Sequence, residues 1–414
     1  MPDHDRPFDL VLWGATGFTG ALVAEYLLRQ YGAQAALRWA IGGRSQAKLE
    51  KVRERLGAID ASAADLPIVL GDASDRASLD AVARQTRVVC STAGPFARVG
   101  RELVAACVEA GTDYCDSTGE PQFVRAMIDA HHERARKTGA RIVSCCGFDS
   151  IPSDLGNLVV QEAARTAHGS HCVEVRHFVR LRGGAISGGT AASMVEIMEE
   201  ASHDASVRRV MADPYALDPG FDGPRTRDMD LHRVSWDDDL GAWTGPFVMA
   251  GINARVVRRS NALLGYAWGR DFHYVEGMSF GASSAGWLRA VGMSAGVATV
   301  FGAMAVAPIR QFVAERFLPS PGQGPSKEQR DRSSFTSRFI GVLEGSRGVI
   351  RATVRGVGDP GYDETAKMLG ESSMCLARDH ATTRTEGGVL TPASCMGMAL
   401  VERLRKQGMT FDVA

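Results

Sequence analysis

FDLVLWGATGFTG, residues Phe8 to Gly20, is the stretch from which the fold is read. Phe8 to Trp13 is a short apolar run, as a buried parallel strand requires. It enters a glycine loop, Gly14-Ala15-Thr16-Gly17-Phe18-Thr19-Gly20, and then a helix-periodic segment, Ala21 to Gln30. The spacing G-x-x-G-x-x-G is a variant of the dinucleotide fingerprint. Gly14 permits a tight turn, Gly17 lets backbone approach a pyrophosphate, and Gly20 allows close packing of helix on strand. The pyrophosphate is expected on the helix N-terminus, where free N–H groups and the dipole favour anions.

Outward from that unit, strands and helices alternate. Strands are predicted at Trp39 to Ile41, Leu66 to Leu70, Arg87 to Cys90 and Arg141 to Cys145, with a short segment at Asp113 to Asp116. Charged or amphipathic helices lie between them, including Arg101 to Ala110 and Gln122 to Thr138. This alternation predicts an α/β fold with a Rossmann-type doubly wound parallel sheet. The second strand ends in Gly42-Gly43-Arg44-Ser45, not in the Asp or Glu that binds an unphosphorylated ribose. Arg44 is a planar, permanent cation suited to a 2′-phosphate, with Ser45 as an added donor, so NADP is the expected cofactor. Asp72 ends the third strand, where it either faces the adenine or caps a turn. Ala93-Gly94-Pro95 ends the fourth, at the edge where the nicotinamide ribose is expected.

The 414 residues suggest about two domains. A formal net charge of −1 gives no electrostatic case for nucleic acid, and 45% hydrophobic residues argue against disorder. The eight cysteines show no C-x-x-C pair and no zinc spacing, so buried thiols in a reducing compartment are expected and no metal is predicted. His131 and His132 fall on a polar helix and are expected to be solvated. The N-terminus MPDHDRPFDL lacks an apolar signal core, so a cytoplasmic chain is expected.

VLWGATGFTG, GGRS, STAGPF, YCDSTGE and CGFDSIPSD stand in an order and at intervals that resemble the saccharopine-dehydrogenase-like oxidoreductases, closest to their bacterial trans-acting enoyl reductases. The resemblance continues through SGGTAASM, FVMAGINARVVRRSNAL and GVLTPASCMG, over nearly the whole chain. It implies a second, α+β substrate domain and NAD(P)H-dependent reduction of a C=C in an acyl or polyketide intermediate. That intermediate would be carried by a partner synthase, and the products would enter lipids and glycolipids. One departure matters: where true saccharopine reductases have a histidine, this chain has Asp154, which puts amino-acid chemistry in doubt.

The nucleotide-binding domain is expected over residues 1–150, completed by 361–414, with a substrate and dimerisation domain over 151–360. Gly188-Gly189-Thr190 resembles a loop entering a helix and could hold a carbonyl or simply cap. Residues 213–239 read as a long loop and 320–332 as a connector. Residues 290–309 carry no charge and contain Gly292 and Gly296 at G-x-x-x-G spacing. They fit a buried or homodimer-interface helix, a peripheral membrane contact or lipid tunnel, or a membrane span. Candidate proton donors are Tyr114, Asp116, Ser117, Thr118, Glu120, Asp149, Ser150 and Asp154, any of whose carboxylates could equally be structural caps. Alternatives are a saccharopine-type imine or amino-acid dehydrogenase and a non-catalytic NADP-binding scaffold. A further rival is a hydrolase using Gly277-Met278-Ser279-Phe280-Gly281, with His380 and Asp359 or Asp363.

Overall fold

The computed structural model describes residues 6–33, 37–183, 188–224, 233–304, 324–346, 348–379 and 386–414, with the positions 228, 306, 308–310, 312 and 382–383 between them. Six strands come first: β1 (Phe8–Trp13), β2 (Trp39–Gly43), β3 (Ile68–Leu70), β4 (Thr86–Ser91), β5 (Asp113–Asp116) and β6 (Arg141–Val143). Six more follow: β7 (Cys172–Arg182), β8 (Ser235–Asp237), β9 (Ala242–Gly245), β10 (His273–Gly281), β11 (Ser334–Leu343) and β12 (Val349–Val357). The chain closes with β13 (Gly388–Leu390) and β14 (Thr410–Val413).

The first sheet has the order β13-β6-β5-β4-β1-β2-β3 and every pair in it is parallel. β1 is buried over Leu10 to Trp13, which explains its unbroken apolar run: helices cover both faces. The strand order reverses between β1 and β4, the topological switch point at whose carboxyl edge open α/β sheets bind ligands. The second sheet runs β14-β12-β11-β7-β10-β9-β8 and is mixed, parallel only between β7 and β10. This is the expected doubly wound sheet with an α+β partner. Helix Ile151–His168 packs under β7, β11, β12 and β14, so close that a Cβ on Gly156 would overlap the Phe339 ring.

Residues 361–414 divide between the sheets. Helix Thr365–Arg378 packs on helix Phe18–Tyr31, β4 and β5, and β13 extends the first sheet, whereas β14 pairs with β12 of the second. Several local expectations need correction. The helix after the glycine loop starts at Phe18, not Ala21, because the loop's last residues already carry its first turn. β6 stops at Val143, since Asp116 captures the Cys145 N–H (3.1 Å) and Cys145 turns to φ +65°. Two short elements, β8 and helix Lys327–Asp331, form inside segments read as irregular. His132 is half-buried and accepts the Val389 N–H (3.2 Å), fixing the edge strand β13 where a solvated histidine was expected.

Candidate active site

The turn after β1 is set by backbone geometry. Gly14 has φ +84°, and a Cβ there would lie 2.8 Å from the Ala93 nitrogen. A Cβ on Gly20 would overlap the Gly14 carbonyl oxygen, so only glycine lets the helix start this close to the strand. Thr92 donates its hydroxyl to the Trp13 and Gly14 carbonyls (3.2 and 3.1 Å) and ties the ends of β1 and β4 together. Helix Phe18–Tyr31 begins at Gly17 with no side-chain cap, which leaves first-turn N–H groups for an anion. Arg44 is exposed at the end of β2. Ser45 caps the next helix by accepting the Lys48 N–H (3.4 Å). Asp72 accepts from the Ser74 N–H and hydroxyl (2.9 and 2.7 Å), and those bonds, with Arg44 nearby, hold its carboxyl below the usual range.

In front of this turn lies a cleft of about 330 Å³ between the two sheets. Gly17, Phe18, Thr19, Gly94 and Pro95 line it, together with Gly188, Gly189 and Thr190. The rest of its lining includes an apolar, methionine-rich set: Met194, Met198, Met211, Met249 and Phe301. Tyr362 closes one side, its ring 4.8 Å from Phe18 and its hydroxyl accepting the Gly188 N–H (3.0 Å).

Of the candidate donors, the cleft is lined only by Ser117 and Asp149. Asp149 reaches it beside Gly119, and burial, with no hydrogen bond or cation among the described residues to offset it, pushes its carboxyl up to about 7. The others are turned into the protein. Asp116 accepts from the Thr118 and Cys145 N–H groups (3.0 and 3.1 Å) and the Ser144 hydroxyl (3.2 Å), joining the ends of β5 and β6; burial lifts its carboxyl to about 6. Tyr114 is wholly buried in β5, where burial first and Asp116 second raise its phenol well above the usual range. Thr118 is buried, its hydroxyl accepting the Glu120 N–H (3.2 Å). Glu120 accepts the Phe96 and Ala97 N–H groups (2.9 and 2.7 Å) and the Ser193 hydroxyl (2.6 Å), so it caps a helix and links the two halves. Ser150 donates to Asn253 (2.9 Å). Asp154 accepts from Ser260 (2.6 Å) and the Ala393 N–H (2.8 Å) deep between helices, with burial lifting it to about 7.

Residues 10–143 match the family model of the saccharopine dehydrogenase NADP-binding domain. A Mycobacterium tuberculosis protein provisionally named a trans-acting enoyl reductase is 43% identical over 422 residues, 100% of this chain and 99% of its own. The trans-acting enoyl reductase of Mycobacterium bovis is 41% identical over 424 residues, 99% of each chain. The chain belongs to the trans-acting enoyl reductase family. Its fold is shared with the apo saccharopine dehydrogenase (L-Glu forming) of Saccharomyces cerevisiae, at a TM-score of 0.54 and 13% identity, covering 98% of this chain and 100% of that one. The oxidoreductase reading from the sequence, with its NADP-binding domain, agrees with these relationships.

In this family member the hydrolase alternative has no geometry. Ser279 sits within β10, paired with Thr244 and buried, not at a strand-to-helix elbow. Asp359 caps a turn by accepting the Gly361 N–H (2.9 Å), Asp363 pairs with Arg330 (3.2 Å), and His380 lies outside the described residues. The buried-helix reading of 290–309 is also corrected. Helix Ser284–Met304 rests on β9 and β10 but buries only Gly286, Ala290 and Met304, and Gly292 and Gly296 face open space. Leu288 is 63% and Met293 45% exposed, while Phe301 turns into the cleft. Among the cleft residues, Met249, Phe301 and Tyr362 carry no signal in the sequence. They come from three distant segments, and nothing local marks them as neighbours.

Proposed function

We propose that this protein is an NADPH-dependent enoyl reductase that reduces the C=C of an acyl or polyketide thioester carried by a partner synthase, in lipid or glycolipid biosynthesis. One observation carries the reading: a carboxyl lifted to about 7, Asp149, shares a methionine-lined cleft with an uncapped, glycine-bounded helix N-terminus. The names of the relatives point to the same chemistry. The chain's own residues fit NADPH: Gly14 and Gly20 keep the turn and helix close against the strands, Gly17 leaves the backbone open to the pyrophosphate, the first turn from Phe18 offers it N–H donors, and Arg44 with Ser45 would hold the 2′-phosphate. Ala15, Thr16 and Thr19 complete the loop, Asp72 stands toward the adenine, and Ala93, Gly94 and Pro95 border the nicotinamide ribose.

When bound, NADPH supplies the hydride that reaches the carbon β to the thioester carbonyl. The protein must then orient the acyl group, shield it from water and protonate the α carbon. Asp149, half of it protonated near neutral pH, is the donor placed to do so and recovers its proton from cleft water. The backbone at Gly189, in the first turn of helix Gly188–His203, takes the charge that develops on the carbonyl oxygen. The methionine wall accepts an acyl chain of varied shape, since unbranched thioethers repack easily. Tyr114, Asp116, Glu120 and Ser150 hold this geometry without touching substrate. Residues 1–150, completed by helix Thr365–Arg378 and β13, act as the nucleotide-binding domain, and 151–360 as the substrate domain. Helix Ser284–Met304 makes a peripheral contact with lipid from the cytoplasmic side; its apolar exposure also suits a homodimer.

The test is equilibrium titration with NADPH and NADH, followed by turnover with an enoyl-thioester. Tight NADPH binding with NADPH oxidation and a saturated product is expected. Binding with no turnover on any enoyl-thioester would favour the non-catalytic scaffold instead.

A further inference from the structure

The second sheet presents one face to helix Ile151–His168 and the other outward. Residues of the outward face follow from the register: Arg180, Thr336 and Arg355 lie in one row across β7, β11 and β12. Arg182 and Ser334 form the next row, with Val357 beyond them. Arg338 sits one row back, between Phe178 and Thr353, and is therefore diagonal to both Arg180 and Arg355. All four arginines are exposed. Among the described residues none of the four has an ion-pair partner, whereas the acids at the other end of this face are engaged: Arg176 with Glu174 (3.1 Å), Asp237 and Asp239, and Arg351 with Asp239 (3.5 Å). Asp412 of β14 is the remaining acid of the face; it lies opposite Thr353 and diagonal to Arg355, on the side away from Arg338 and Arg180.

Like charges set diagonally across strands repel, and a chain of net charge −1 has no general excess of cations to account for the cluster. Two of these strands also lead in sequence to cleft residues at this end: β7 precedes Gly188, and β12 precedes Gly361 and Tyr362. We propose that this arginine face docks an acidic helix of the partner protein that presents the substrate. The proposal rests on the reading that the acyl group arrives on such a partner. Strands about 4.8 Å apart place Arg180 and Arg355 roughly 10 Å from each other, with Arg338 roughly 7–8 Å from each. Carboxylates at i, i+4 and i+7 of a helix are separated by roughly 6 and 10 Å along its axis, a matching interval. Guanidinium groups pair with carboxylates through two parallel hydrogen bonds, which gives orientation as well as attraction. Val357, 78% exposed among them, supplies an apolar contact at the same spot. A second copy of this chain would set arginine against arginine and is disfavoured.

The probe is a small acidic acyl carrier protein, fluorescently labelled for anisotropy, and the same carrier loaded with a crotonyl thioester for turnover. The full chain is compared with R180E/R355E and with K137E/K406E, which changes the net charge equally at two other exposed sites. Carrier affinity is expected to fall at least tenfold in R180E/R355E and to stay within about twofold in the control, with a strong salt dependence only where the arginines remain. Turnover of the loaded carrier should fall in parallel, while that of a free crotonyl-N-acetylcysteamine thioester stays unchanged. Should R180E/R355E fail to fold, R180A/R355A is expected to give a smaller loss of the same kind. Equal affinities in all variants, equal losses in patch and control, or a loss that extends to the free thioester would overturn the docking site. Arginine-dependent binding to phosphatidylcholine–phosphatidylglycerol vesicles without binding to the carrier would assign the face to lipid and overturn it too. Arginine-dependent carrier binding without turnover of either thioester would refute the reductase reading and leave the docking site standing.

Discussion

Asp149→Asn isolates the proposed proton donor, because it keeps the shape of the side chain and removes the acid. In the folded protein the carboxyl is lifted from 3.8 to about 7 by burial alone. At about 1.36 kcal/mol per pH unit, that difference amounts to roughly 4 kcal/mol. Water in the cleft screens part of it, so about 2 kcal/mol is a more realistic expectation. Its sign follows from proton binding. The native state holds this proton more tightly than the unfolded chain does, so the stabilisation is complete below 3.8 and is lost as the pH rises through about 7. Denaturant titrations from pH 5 to 8 should therefore show the variant losing less stability than the parent. The catalytic expectation is independent of that one. Turnover per unit KM on an enoyl-thioester should fall about tenfold per pH unit above 7 in the parent, as the acid ionises. In the variant it should be about 10² to 10³ lower near neutrality and nearly flat with pH. An Asn variant with the parental rate and the parental pH profile would refute the assignment, whatever its stability.

Arg44→Glu should weaken NADPH at least tenfold, by roughly the 1.5–3 kcal/mol of a charge-assisted hydrogen bond, and leave NADH within about threefold; titration with both nucleotides checks this, and an unchanged preference would defeat the 2′-phosphate argument. Glu120→Ala orphans the buried N–H groups of Phe96 and Ala97, which should cost about 2–4 kcal/mol in chemical denaturation while NADPH affinity persists. A stable variant that cannot turn over would instead make Glu120 a reacting group. Leu288→Asp places a charge on the most exposed large apolar side chain of helix Ser284–Met304 and should reduce co-sedimentation with phospholipid vesicles several-fold. Unaltered sedimentation with a shift from dimer to monomer would assign that helix to subunit contact.

The nucleotide half was legible because its signals are local. A buried parallel strand is apolar along its central residues, as Leu10 to Trp13 are, and the turn that follows it must be glycine where a Cβ would strike Ala93 or Gly14, so sequence and geometry there say the same thing. The strand end at Arg44 was legible for a similar reason: a cation where a carboxylate would otherwise accept from a ribose. The donors were not separable by type. Asp116, Glu120, Asp149 and Asp154 are all acidic residues near strand ends, and three of them satisfy backbone N–H groups while one opens into the cleft.

By itself, then, the sequence determined the parallel sheet, the glycine turn and the class of cofactor, since each depends on residues adjacent in the chain or one strand apart. Only the tertiary structure decided the cleft, because its walls come from Phe18, Asp149, Met249, Phe301 and Tyr362, which are distant along the chain. It alone decided that helix Ser284–Met304 lies on the surface, as an uncharged run reads the same buried or exposed. It also set four arginines of three strands side by side, because pairing across strands, unlike periodicity along one, leaves no mark in sequence order.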